Sequence, residues 1–231
     1  MSRYRLEYAI NEKIRFLSHR ELMTSLQRSL RRASFPFAYS HGFNQRPKFS
    51  FGPPLGVGIA GLREYLDVEL VEEIAQEEYL QRLQQQLPTG IEAHRLVLVP
   101  PGDAGLGKFI NCACYQVLVP DSLGISWDKL LQDLEEGDPW WYERPNDGKV
   151  FNMSAGIIKS RFQQDEGDLY LEFLLKIGPG EVPVRGLLDV LSSKANAASL
   201  PPFRTTRTGL YRQENNCFIS PMGEIEVIFE G

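Results

Sequence analysis

Tyr39, His41, Arg46 and Lys48 fall within ten residues of one another, and Gly42, Asn44 and Pro47 are interleaved among them. Aromatic rings stack on bases, and guanidinium and ammonium groups meet phosphates, so this mixture suits phosphate or single-stranded RNA. Gly, Asn and Pro disrupt a strand ladder, which predicts a bulge or a projecting loop here. Loops carried on a rigid sheet often hold function. His19 opens a predicted helix, where free backbone N–H groups attract anions. The same stretch also has a purely structural reading. Phe43, Phe49 and Phe51 alternate as core residues would, and Asn44 braces a turn. Arg31 and Arg32 then form a solvated helix face or pair with Glu64, Asp67 and Glu69.

Other motifs are weaker. Gly56-Val57-Gly58-Ile59-Ala60-Gly61 spells G-x-G-x-x-G. A dinucleotide site needs a buried strand before that motif and a helix N-terminus after it. Here Pro53-Pro54 precede it and the strand-like EYLDVEL follows, so it reads as a loop. Gly102 to Gly107-Lys108 gives G-x-x-x-x-G-K, but Phe109 stands where a phosphate-binding loop needs Ser or Thr for Mg²⁺. Cys112 and Cys114 could supply two metal ligands, yet no second pair completes a site. With Cys217 they make three cysteines, an odd and sparse count that fits a reducing compartment. No cofactor or metal is expected. G-x-S-x-G, H-E-x-x-H and calcium-loop patterns do not occur, and His94 reads as a solvent-facing strand residue.

The elements that position these residues can be read from periodicity. Residues 4–16 alternate as a half-buried strand. Ser18-His19-Arg20-Glu21 has the S-x-x-E form of a capping box. Leu22, Met23, Leu26, Leu30 and Ala33 then recur at helical spacing until Pro36. Residues 37–51 read as a strand with an irregular middle at 42–47, and the Gly/Pro-rich residues 52–61 as a connection. Residues 64–70 read as a strand, 76–87 as a helix and 91–99 as a strand. After a break at Pro100-Pro101-Gly102 the order repeats. Strands are expected at 112–119, 150–162, 169–177 and 203–212, with helices at 127–134 and 183–191. Residues 217–229 add an edge hairpin. The predicted class is α+β, a duplicated ferredoxin-like fold (βαββαβ twice) with antiparallel sheets. One half spans 1–100 and the other 110–231.

Composition narrows the class. Apolar residues make up 42% and charged residues 24%, as in ordinary globular proteins. The opening MSRYRLEYAI lacks the apolar core of a signal peptide. No run of about 18 apolar residues occurs, so no membrane association is expected and the location reads as cytoplasmic. Residues 1–60 carry ten Lys/Arg and three Glu, a net of +7 within a total of −5, which leaves −12 for the remainder. That asymmetry predicts either a basic surface on an acidic body or two halves that attract one another.

A family resemblance is carried by five stretches. They are Phe16-Leu17-Ser18-His19-Arg20-Glu21-Leu22, Leu30-Arg31-Arg32-Ala33, Ala38-Tyr39-Ser40-His41-Gly42-Phe43-Asn44-Gln45-Arg46-Pro47-Lys48-Phe49-Ser50-Phe51, Pro54-Leu55-Gly56-Val57-Gly58 and Glu64-Tyr65-Leu66-Asp67. They resemble the radical-SAM-linked uncharacterised protein family, whose pattern runs roughly L-S-H-x-[DE]-L-M, L-R-R-A, Y-S-x-G-F-N-P-x-P-[KR]-x-S-F, P-L-x-V-G and E-Y-x-D. Gln45 stands where that pattern usually has Pro, and Arg46 where it often has His. The resemblance covers residues 4–100 and is only general from 110 onward. It implies pairing with, or fusion to, a radical-SAM protein. This chain has no C-x-x-x-C-x-x-C run to hold an iron–sulfur cluster, so it is not the radical enzyme. The expected binding residues are therefore His19, Tyr39, His41, Asn44, Arg46, Lys48, Glu64 and Asp67.

Three readings of function follow. The first is a non-catalytic module that presents RNA, tRNA or rRNA, to a radical-SAM enzyme. The second is a protein-docking subunit of that enzyme without RNA affinity. The third is a metal-independent ribonuclease with His19 or His41 as general base. Oligomeric state has no sequence signal.

Overall fold

The computed structural model describes residues 1–120, 125–195, 203–215 and 217–228. In chain order the elements are β1 (Ser2–Ile10), a 3₁₀ turn (Glu12–Ile14), α1 (His19–Arg32), β2 (Phe49–Phe51), β3 (Ile59–Leu70), α2 (Gln76–Gln84) and β4 (Ile91–Val99). Then come α3 (Leu106–Phe109), β5 (Cys112–Val119), α4 (Trp127–Glu136), β6 (Trp141–Glu143), β7 (Val150–Asn152), α5 (Met153–Gly156) and β8 (Ile157–Asp165). The last are β9 (Asp168–Lys176), α6 (Val184–Lys194), β10 (Arg204–Glu214), β11 (Cys217–Ile219) and β12 (Ile225–Glu226). The class is mixed α+β, and the strand pairings with a defined register are antiparallel.

The chain divides into two compact units. The first comprises Met1–Ile110 with Gly209–Val227, and the second is built on Asn111–Thr208. In the first unit β4, β1, β3 and β2 lie side by side in that order. α1 begins where the capping box predicts it. Ser18 Oγ accepts from the Glu21 backbone N–H, and the Glu21 carboxylate accepts from the Ser18 N–H at 2.9 Å. The helix buries Leu22, Leu26 and Leu30 against Tyr4, Leu6, Tyr8 and Ile10 of β1 and Leu66, Val68 and Leu70 of β3. Each such leucine contributes about 1.5–3 kcal/mol of burial.

Side chains alternate across a strand, so the intervening residues of β1 and β3 face the other way. That face is polar yet buried. Arg5 donates from Nε and Nη2 to the two carboxylate oxygens of Asp67, at 2.7 and 2.9 Å. Tyr65 donates its hydroxyl to Glu7 at 2.9 Å. Arg5 also donates to the Pro221 carbonyl at 2.7 Å and lies over the Phe109 ring. Arg63 holds Glu226 through two bonds, and Arg95 holds Glu224 at 2.8 Å.

These contacts place the carboxyl-terminal stretch. Residues 209–227 were expected in the second half, but they close over the polar face of the first unit, because Arg5, Arg63 and Arg95 need their carbonyl and carboxylate partners there. Within 217–229 a hairpin forms as β11–β12, and residue 229 lies outside the described residues.

In the second unit β5 pairs with β9, and β9 with β8. Trp127, Leu131 and Leu134 of α4 and Leu187 and Leu191 of α6 are buried. Three expected strands are shorter than predicted. The first ends at Ile10, because the Asn11 side chain accepts from the Lys13 N–H and starts a 3₁₀ turn. Residues 37–51 form only isolated bridges and β2. Residues 150–162 are interrupted by α5, whose first turn is capped by the Asn152 side chain on the Ala155 N–H. The β6–β7 hairpin and the one-turn α3 were not expected. The G-x-G-x-x-G stretch runs directly into β3 at Ile59, so no helix follows it.

Candidate functional site

Between α1 and β2 the chain makes a narrow hairpin. Lys48 N–H donates to the Ala38 carbonyl at 3.0 Å, Ser40 N–H to the Arg46 carbonyl at 2.8 Å, and Tyr39 bridges Pro47. The base is tied to the sheet, since Ala38 N–H donates to the Glu69 carbonyl and Glu69 N–H to the Lys48 carbonyl. The tip, residues 41–45, is exposed, and Gly42 supplies its turn at φ +123°. Phe43, expected in the core by its alternation with Phe49 and Phe51, is instead 104% exposed at this tip. Alternation has meaning only within a sheet, and here the ladder has already ended.

α1 presents one stripe toward this hairpin. His19, Met23, Gln27 and Arg31 are spaced by four, so they rise on successive turns of the same helix face. Met23, Gln27 and Arg31 line a cleft of about 380 Å³ whose other wall is Arg46, Pro47, Phe49 and Phe51. The His19 ring stands edge-on to Phe51, 5.9 Å between centroids. Phe51 continues into a row of rings through Phe49 and Phe37 to Phe35 and Tyr79, which gives that wall a packed aromatic backing.

The surroundings are cationic. α1 contains Arg20, Arg28, Arg31 and Arg32 against Glu21 as its acid, and Glu21 is occupied by the capping box. Those bonds to Ser18 hold the Glu21 carboxyl below the usual glutamate range. Among the described residues Arg20, Arg28, Arg31 and Arg46 have no ion-pair partner. Arg32 is turned away, donating to the Gln86 carbonyl at 2.6 Å and to Ser29 Oγ.

The eight residues singled out from sequence do not form one cluster. Arg46 lines the cleft, and His19 stands against the Phe51 that lines it. Tyr39, His41 and Asn44 lie exposed on the hairpin. Lys48 pairs with Glu69 at 2.8 Å. Asp67 is buried on the opposite sheet face and committed to Arg5, and Glu64 is buried in β3. Of the two structural readings of Arg31 and Arg32, a solvated helix face or pairing with Glu64, Asp67 and Glu69, the ion pairs of Asp67 and Glu69 are made instead with Arg5 and Lys48. Burial and the Glu7 carboxylate beside it push the Tyr65 hydroxyl far above the ordinary tyrosine range. Gln27 was missed by sequence reasoning, although its spacing from His19 and Arg31 was visible. Among the described residues no group of three or more His, Cys, Asp or Glu side chains could hold a metal ion, and no helix is long and apolar enough to cross a membrane.

The profile described as "Uncharacterized protein conserved in bacteria (DUF2344)" matches residues 3–182, from β1 through β9, and the chain belongs to that family. None of the curated proteins matches it. Among solved structures it is similar to the crystal structure of a proposed glycine cleavage system transcriptional repressor, at 9% identity and a TM-score of 0.24, covering 95% of this chain and 99% of that one.

Proposed function

We propose that this chain is a non-catalytic RNA-binding module that presents a tRNA or rRNA segment to a radical-SAM enzyme, and that each unit is a ferredoxin-like βαββαβ platform. The observation that carries the reading is the group of cationic side chains without acidic partners along α1 and at Arg46, beside an exposed hairpin bearing Tyr39, His41 and Phe43. Unpaired guanidinium groups bind phosphates, and exposed rings stack on unpaired bases. The platform reading is supported by the order β4-β1-β3-β2 in the first unit and by the β5-β9-β8 pairing in the second. The radical-SAM partner and a cytoplasmic location rest on the family resemblance and on composition.

The test is retention of total bacterial RNA on a filter by the purified protein at low and moderate salt. Binding is expected to fall steeply with salt, and Arg46→Ala is expected to lower the log–log slope by about 0.7, the value for one single-strand phosphate contact. Lys48→Ala should change it less, because Lys48 already serves Glu69. No retention at low salt overturns the reading. One observation favours a protein-docking role instead: Phe43 is a fully exposed ring at the hairpin tip. Loss of co-purification with the radical enzyme in Phe43→Ser, without any RNA affinity in the parent protein, would select that alternative.

A further inference from the structure

The cleft between α1 and β2 has two unlike ends. Along α1 the stripe advances about 6 Å per four residues, from His19 through Met23 and Gln27 to Arg31. Along the facing segment, Pro47, Phe49 and Phe51 advance at about 6.6 Å per two residues. The His19–Phe51 ring contact anchors one end, and the lining shared by Met23, Gln27 and Arg31 with Phe49, Pro47 and Arg46 carries the pair away from it. Helix and strand therefore run oppositely, so Arg31 stands toward Arg46 and Pro47, while Met23 stands toward Phe51. One end carries two guanidinium groups. The other carries Phe49, Phe51 and the Met23 thioether, with the His19 imidazole edge-on to Phe51. Gln27, with an amide donor and an amide acceptor, lies between them.

We infer that this cleft holds one phosphorylated nucleotide, its phosphate on Arg31 and Arg46 and its base against Phe49, Phe51 and Met23. The inference rests on the RNA-binding reading for its ligand class and names the part of the strand that is captured. Several features favour it over a bare anion site. A volume of about 380 Å³ falls at the lower end of the roughly 300–1,000 Å³ of small-ligand sites and far exceeds what a lone phosphate fills. The aromatic wall is held rigid by the ring row behind it, so it offers a pre-formed surface for a planar base. The amide of Gln27 can donate to and accept from a base edge. No carboxylate lines the cleft, so an incoming phosphate meets no repulsion there.

The experiment uses the full chain labelled with ¹³C at its methionine methyls. There are four methionines, and Met23→Leu assigns the reporter signal. The probes are adenosine 5′-monophosphate, adenosine, inorganic phosphate and hexa-adenylate. Adenosine 5′-monophosphate is expected to shift the Met23 methyl signal, with roughly tenfold weaker binding in Arg31→Ala and in Arg46→Ala, and with adenosine also weaker than the monophosphate. An unmoved Met23 signal at about 10 mM monophosphate overturns the inference. So does inorganic phosphate binding as tightly as the monophosphate, since the base would then contribute nothing. Hexa-adenylate that binds without moving Met23 also overturns it, while the RNA-binding reading survives. Monophosphate that moves Met23 while hexa-adenylate fails to bind supports the cleft and removes the RNA-presenting reading.

Discussion

Asp67→Asn separates a residue that builds the platform from one that works on it. Arg5 and Asp67 are 4% and 3% exposed, and the guanidinium meets both carboxylate oxygens in a fork. Asparagine keeps the shape but replaces one acceptor with an NH₂ group facing an Nη2 donor at 2.9 Å. Arg5 would retain the Pro221 carbonyl yet lose its counter-charge in a site closed to water. Removing one partner of a buried pair costs about 3–5 kcal/mol. At about 2–4 °C per kcal/mol for a chain of this size, the melting temperature should fall by about 6–20 °C. Thermal unfolding followed by circular dichroism reads this directly, and urea midpoints give an independent value. The double variant Arg5→Met, Asp67→Leu should recover much of the loss, because it removes both charges together. A fall below about 2 °C in Asp67→Asn would refute the reasoning and return Asp67 to the list of residues kept for binding.

Three further outcomes are expected. The Tyr65 proton is held far above the ordinary value near 10, so above pH ~10 the unfolded chain releases a proton that the folded chain keeps; stability should fall by about 1.4 kcal/mol per pH unit, and Tyr65→Phe should lose that part of an alkaline titration followed by urea unfolding. Ser18→Ala should cost about 1 kcal/mol at neutral pH by loss of the helix cap. Because Glu21 is held below its usual range, its share of the cap is present above the ordinary glutamate value and is lost as pH falls below it, so the difference between parent and Ser18→Ala should narrow in acid. Phe43→Ser should leave stability within about 0.5 kcal/mol of the parent in urea, since the ring packs on nothing at the hairpin tip.

Legibility followed the strength of local signals. The α1 start was readable because Ser18 and Glu21 stand three apart and satisfy one another with no help from tertiary structure. β4 was readable because residues 91–99 are bounded by Gly90 and Pro100. The expected strand at 4–16 failed at Asn11, where one side-chain bond to Lys13 N–H overrides the continuing alternation. Phe43 failed because a period of two was extended past the last ladder bond. The buried pairs were the least readable. Arg5 and Asp67 are 62 positions apart, and nothing local to either indicates which sheet face will be covered by residues 217–227. In the cleft, the helix stripe was visible as a spacing of four. Its facing wall was not, because Arg46, Phe49 and Phe51 read as loop and core until the hairpin geometry set them opposite Arg31.

The first unit is interrupted in sequence: it runs to Ile110, yields to the second unit, and resumes at Gly209. The ribosome therefore releases β1 through β4 about 120 residues before the carbonyl of Pro221 and the carboxylates of Glu224 and Glu226 exist. At about 5–20 residues per second that interval lasts roughly 6–24 s. Throughout it Arg5 has Asp67 but not the Pro221 carbonyl, while Arg63 and Arg95 await Glu226 and Glu224. The last strands to be made are thus the ones that cover the first face laid down, and a chain stopped near position 200 would carry every residue of the cleft while leaving the back of its platform open.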